Sequence, residues 1–185
     1  NDDPYVKKFS NKSGIDKLDK IYENKLNKIF PSYEFMAFIW DKKKYLKLFQ
    51  KHKIPISPTI FIKDSVNPIK LLQQIQKYKW DEFIIKPIGG TSSFGFNKYT
   101  IKKCLQNKSI LNEYFKENNQ YYKEYLVQEL ITGFTKYGEI KSFWIDGKFS
   151  YAVNIFDSGN EDDYGVEELI DSKVIEEIIK IGKRV

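Results

Sequence analysis

The sequence predicts an α+β or mixed α/β fold, and three observations carry that reading. Apolar residues at three- and four-residue spacing mark helices, and short runs of branched and aromatic residues mark strands. The two kinds alternate irregularly, without the steady strand-helix-strand rhythm of an all-parallel sheet. Asp146-Gly147 between two such runs is the strongest short-range signal for a hairpin with a type I′ turn, so part of the sheet is antiparallel. At 185 residues, with 41% hydrophobic and 16% aromatic side chains, the chain can bury the core of one large domain or two small lobes.

Ile15, Leu18, Tyr22, Leu26 and Ile29 predict an amphipathic helix over 15–30, stopped by the Phe-Pro-Ser at Phe30 to Ser32. Asp41 is placed to cap a second helix that turns Tyr45, Leu48 and Phe49 toward a core. Pro55 and Pro58 then enforce extended backbone, and Ile60 to Ile62 read as a strand. Pro68 opens a helix with Leu71, Leu72, Ile75 and Tyr78 on one side, followed by a short strand from Phe83 to Lys86. A strand over "FNKYTI" and a helix holding Ile110, Leu111, Tyr114 and Phe115 come next. A long β segment runs from Tyr125 onward, through the Asp146-Gly147 hairpin. The acidic "SGNEDDYGVEEL" reads as a mobile loop, and Val174, Ile175, Ile178 and Ile179 mark a last helix.

Thirty-one Lys and Arg against twenty-five Asp and Glu leave a net charge of +6, but the lysines are spread along the chain and make no stripe. A solvated compositional bias is therefore the expectation, and no nucleic-acid partner. One cysteine, Cys104, excludes an intrachain disulfide framework and fits a reducing compartment. The apolar runs are too short to cross a bilayer, and "NDDPYVKKFSN" lacks the apolar stretch of a signal peptide. No membrane partner and a cytoplasmic location are expected. His52, just before Pro55, reads as a helix-end surface residue.

The stretch "IIKPIGGTSSFGFN" sets a lysine at the end of a buried-type strand, directly before a loop of glycines and hydroxyls. A lysine there needs a partner, because an unpaired buried charge is costly. Glycines let backbone N–H groups approach an anion, and Thr91, Ser92 and Ser93 add hydroxyl donors, so Lys86 and the loop can clamp phosphate. An ordinary hairpin turn is the alternative. It is not a Walker loop, since the lysine precedes the glycines. Further on, strand alternation puts Glu139, Lys141, Phe143 and Ile145 on one face and Ile140, Ser142 and Trp144 on the other. Glu139 and Lys141 suit a ligand with ribose hydroxyls at one end and phosphates at the other, or else form a surface ion pair. "VQELI" can offer backbone groups to the edge of a flat heterocycle.

Taken in order, "DKKKYLKLFQKHKIPISPT", "IIKP" with its glycine and serine loop, "VQELI" and "GEIKSFWIDGK" resemble the ATP-grasp superfamily over Phe30 to Val153. The resemblance implies two α+β lobes with a nucleotide held between antiparallel sheets. Residues 1–30 are then a remnant of an N-terminal lobe or a linker helix, 31–80 a linker helix and the start of the ATP-grasp, and 81–185 the nucleotide-binding lobes, incomplete at the C-terminus. It implies that Lys42 and Lys86 contact phosphates and that Ser92, Ser93 and Gly95 lie in the loop over them. Gln128, Glu129 and Ile131 are implied as the hinge meeting adenine, Glu129 and Ile131 through backbone groups. Glu139 is implied to accept from ribose, and Lys141 to stand where many members have a phosphate-binding cation. The serine pair is similar to D-alanyl-D-alanine ligases, and "GEIKSFWIDGKFSYAV" to glutathione synthetases and related amino-acid ligases.

The implied activity is an ATP- and Mg²⁺-dependent ligase that joins small-molecule carboxylate and amine substrates through an acyl phosphate, releasing ADP and phosphate. Two alternatives remain open, an inositol phosphate kinase of the same architecture and a nucleotide-binding module without catalysis. The family's magnesium ligands, in an Arg-x-Asp strand and a later Glu and Asn, belong after the helix that runs into "IGKRV". The chain is therefore expected to be a piece of a longer enzyme, with a degenerate member of the family as the alternative.

Overall fold

The computed structural model describes residue 20 and residues 30–89, 93–157 and 164–184. The chain divides into two compact units, Asn1–Leu48 with Ser57–Leu130, and Phe49–Ile56 with Ile131–Val185.

In the first unit, Ser32 accepts from the Phe35 amide and starts helix α1 (Tyr33–Trp40). Asp41 Oδ1 accepts from the amides of Lys43 and Lys44 at 3.0 and 3.1 Å and starts α2 (Lys42–Lys51), as its sequence position predicts. The strands are β1 (Thr59–Lys63), β2 (Glu82–Pro87), β3 (Asn97–Thr100) and β4 (Glu124–Glu129), all antiparallel and ordered β1-β4-β2-β3. Between them run α3 (Pro68–Lys77), capped by Asn67, α4 (Ile101–Gln106) and α5 (Ile110–Asn118).

Alternation along β2 buries Phe83, Ile85 and Pro87 on one face and leaves Ile84 and Lys86 on the other. The first face packs on the helices: Ile60, Phe83, Ile85, Tyr125 and Val127 of the sheet meet Leu71, Leu72 and Ile75 of α3, Cys104 of α4, and Leu111, Tyr114 and Phe115 of α5. This is a core of side chains taken almost entirely out of water, and burial of apolar surface is the main favourable term in folding. The second face carries Thr59, Phe61, Ile84, Lys86, Glu124, Leu126 and Gln128 by the same alternation and register. Residues of α2 meet this face, with Lys43 Nζ 2.5 Å from Glu124 Oε1 and Lys47 Nζ 5.9 Å from the Phe61 ring centre.

In the second unit, α6 (Thr132–Tyr137) precedes a three-stranded antiparallel sheet of β5 (Glu139–Ile145), β6 (Lys148–Asp157) and β7 (Tyr164–Glu168), followed by α7 (Ser172–Gly182). Asp146 and Gly147 have φ of 51° and 70°, the two positive values a type I′ turn demands. The register shifts between Phe143 and Trp144, a bulge that places Phe143 opposite Tyr151 and Trp144 opposite Phe149. Gly182 of α7 lies against the Trp144 indole so closely that no Cβ would fit.

Three sequence expectations are corrected, and "YEFMAFIW" forms α1 where no element was read from the sequence. The strand over "FNKYTI" ends at Thr100, whose hydroxyl accepts from the Lys103 amide and starts α4. The long β segment from Tyr125 is interrupted by α6. Part of "SGNEDDYGVEEL" is not loop, since Tyr164–Glu168 pairs with β6. The helix expected over 15–30 lies, apart from Lys20 and Phe30, outside the described residues. His52 is exposed in the turn after α2, as expected, and no helix among the described residues is long and apolar enough to cross a membrane.

Candidate functional site

The loop after β2 leaves the sheet at Ile88, and α2 holds that exit. The Ile88 amide donates to the Glu124 carbonyl at 3.1 Å, and the Ile88 carbonyl accepts from the Lys42 amide at 3.4 Å and from Lys42 Nζ at 3.2 Å. Lys42 is half-buried, and burial lowers its ammonium pKa below the ordinary lysine range. An ammonium stripped of water gains most from a further anion. The Lys43–Glu124 pair fixes the first turn of α2 beside it.

Lys86 stands at the end of β2, opposite Leu126 of β4, on the face that also carries Gln128. Gln128 is 7% exposed, and its amide donates to Thr59 Oγ1 at 2.8 Å while that hydroxyl donates to the Ser57 carbonyl at 2.6 Å. The Gln128 side chain is thus committed to β1. The Glu129 amide donates to the Pro58 carbonyl at 3.1 Å and the Leu130 amide to the Glu82 carbonyl at 3.0 Å. A heterocycle meeting this stretch would find carbonyl acceptors, not those two donors.

Ser92 lies outside the described residues. Ser93 and Gly95 both take positive φ, 57° and 70°, in a turn closed by the Phe96 amide donating to the Ser93 carbonyl at 3.0 Å. The Gly95 carbonyl accepts from the Tyr114 hydroxyl at 2.6 Å. Sequence reading missed Tyr114 as anything but a core residue; its spacing with Leu111 and Phe115 carries no sign of the hydroxyl's partner.

The second unit holds the other three candidates. Ile131 precedes α6, half in and half out of the helix, and its carbonyl accepts from the Phe134 amide at 3.0 Å. Glu139 and Lys141 are exposed on β5, on one face with Phe143 and Ile145. Among the described residues they make no ion pair with each other. Both remain open to solvent, beside the stacked pair of Phe143 and Tyr151, whose ring centres are 4.5 Å apart at 12°. Among the described residues no group of three His, Cys, Asp or Glu side chains is arranged to hold a metal ion.

No protein-family model matches the chain, and no curated protein matches it in sequence. Solved structures do match it in three dimensions. D-alanine–D-alanine ligase from Bacillus anthracis complexed with ATP superposes with a TM-score of 0.58 at 15% identity, over 78% of this chain and 44% of that one. D-cycloserine synthetase DcsG gives a TM-score of 0.57 at 15% identity, over 78% and 50%. ATP-grasp ligase PsnB complexed with minimal precursor gives 0.55 at 16%, over 84% and 46%. The chain spans about half the length of these structures. Identities this low show the fold alone, and that fold is α+β of the ATP-grasp kind.

Proposed function

We propose, with the ATP-grasp fold as premise, that the chain binds ATP as part of a ligase that joins a small-molecule carboxylate to an amine. The observation that supports this most is the position of Lys42. Its amide and its half-buried ammonium both reach the Ile88 carbonyl, at the start of the glycine loop that follows Lys86. Two lysines, far apart in the chain, thus stand at the two ends of the segment Lys86–Ile88. A triphosphate needs cations and N–H donors, and the first unit offers Lys42 and Lys86 together with the amides of Phe94 and Gly95, which donate to no partner among the described residues.

In the first unit we assign Lys42 and Lys86 to phosphate oxygens, with the turn of Ser93 and Gly95 meeting the same group. The carbonyl of Glu129 would accept from the adenine amino group, while Gln128 holds β4 to β1 through Thr59. In the second unit Ile131 contributes a backbone group to adenine. Glu139 accepts from ribose hydroxyls, and Lys141 neutralises phosphate. The solved structures named above are ligases or synthetases by name, which favours carboxylate–amine ligation over transfer to an inositol phosphate. In that reaction the substrate carboxylate takes the γ-phosphoryl group, ADP leaves, and the amine then displaces phosphate from the acyl phosphate. The lysines lower the barrier by offsetting charge on the transferring group. The described residues do not form a Mg²⁺ site of their own, and no step is assigned to the ion.

The test is an assay of ADP and free phosphate on the intact protein with Mg–ATP and a panel of amino acids, dipeptides and inositol phosphates. The reading expects free phosphate only when a carboxylate and an amine are both present. ADP released with an inositol phosphate, and no free phosphate, would replace the ligase with a kinase.

A further inference from the structure

The turn that returns the glycine loop to β3 is tied down from inside the core. Tyr114 is 3% exposed, and its ring stands edge-on to Tyr99, Phe115 and Tyr125. Burial, reinforced by Tyr125, Tyr99 and Tyr122, pushes its phenol far above the ordinary value, so the hydroxyl keeps its proton and donates to the Gly95 carbonyl. Phe94 packs edge-on to Tyr121 and tilted against Tyr122. Gly95 rests so closely on its neighbours that a Cβ would come within 2.7 Å of Pro87 Cγ and 2.9 Å of Asn118 Oδ1.

The carbonyls of Ser93 and Gly95 are therefore committed, one to the Phe96 amide and one to Tyr114, while the amides of Phe94 and Gly95 donate to no partner among the described residues. A peptide plane held by its carbonyl has its N–H held too. Fixing the Ser93 carbonyl thus aims the Phe94 amide, and fixing the Gly95 carbonyl sets the backbone on its far side.

We propose that Tyr114 is a positioning residue for phosphate recognition: through the Gly95 carbonyl, its hydroxyl holds the turn whose Phe94 and Gly95 amides meet a phosphate group. This rests on the nucleotide-binding reading above, which it deepens by naming a residue that touches no nucleotide itself. A residue that merely fills the core would affect all ligands alike. Tyr114 acts on the phosphate end only.

The experiment compares Mg–ATP with adenosine, by calorimetry and ligand-detected NMR, on the intact protein and on Tyr114→Phe. Tyr99→Phe serves as control, because the Tyr99 hydroxyl has no hydrogen-bond partner among the described residues. Loss of one buried hydrogen bond corresponds to about five- to tenfold in affinity. Tyr114→Phe should weaken ATP by that factor, leave adenosine unchanged and speed exchange of the Phe96 amide, the one in this turn that donates to a partner among the described residues, while Tyr99→Phe changes none of these. Equal loss for ATP and adenosine, or no loss for either, overturns the inference and leaves the nucleotide reading standing. If the unaltered protein binds neither ligand, the nucleotide reading falls and takes the inference with it. Should Tyr114→Phe fail to fold, Phe94→Leu loosens the same turn from its outer side and must give the same ATP-selective loss.

Discussion

Lys42 Nζ lies 3.2 Å from the carbonyl oxygen of Ile88, the residue at which the chain leaves β2 for the glycine loop. A helix start and a loop start, distant in sequence, are joined at that bond. Burial holds the Lys42 ammonium below its ordinary pKa of 10.5. Because the unfolded chain binds this proton more tightly than the folded one, Lys42 costs stability at neutral pH, and the cost is relieved as pH rises from the lowered value toward 10.5. NMR of reductively methylated protein should show a lysine signal that titrates below the ordinary lysine range and is absent from Lys42→Met. Mg–ATP should move that titration upward.

Thr59→Val removes the acceptor of the Gln128 amide and leaves a buried donor unmet, at a cost of about 1–3 kcal/mol by urea unfolding. Adding Gln128→Leu should recover part of that loss, since an apolar pair leaves nothing unsatisfied. A double variant that loses the full sum of the two single costs would show the bond to be incidental.

Gly138 ends α6 at φ 84°, with the Ile155 carbonyl and the Asn154 side chain where a Cβ would stand. Gly138→Ala is therefore expected to destabilise the second unit by about 2–4 kcal/mol, from backbone strain and the clash together. Gly147→Ala meets nothing within 4 Å and bears only its positive φ, so it should cost less, about 1 kcal/mol. Thermal unfolding of the two variants checks the order.

The sequence shows elements well where one residue type meets one local demand. Pro68 after Asn67 starts α3, Asp41 starts α2, and Asp146-Gly147 supplies the two positive φ values of the β5–β6 hairpin. It shows them poorly where neighbours decide. "YEFMAFIW" is apolar or aromatic at nearly every position, so α1 has no polar face to reveal a helical period. The six residues of α6 are too few for a period and stand beside strand formers. β7 hides in an acidic stretch because its pairing with β6, not its composition, makes it a strand. For the candidate site, the placement of Lys86 near a strand end and of Ser93 and Gly95 in a turn was legible from type and order. The Lys42–Ile88 and Tyr114–Gly95 bonds were not, since each joins a helix to a loop from another part of the chain.

Charge-assisted hydrogen bonds to phosphate contribute about 1.5–3 kcal/mol, so Lys86→Ala should weaken ATP binding by roughly 10- to 100-fold while the unfolding midpoint stays close to that of the unaltered protein. Calorimetric titration of Mg–ATP into the two proteins tests this most directly. Saturable one-to-one binding to the unaltered chain and the stated loss in the variant are the expected results. Absence of heat in the unaltered protein, or equal affinity in both, would contradict them.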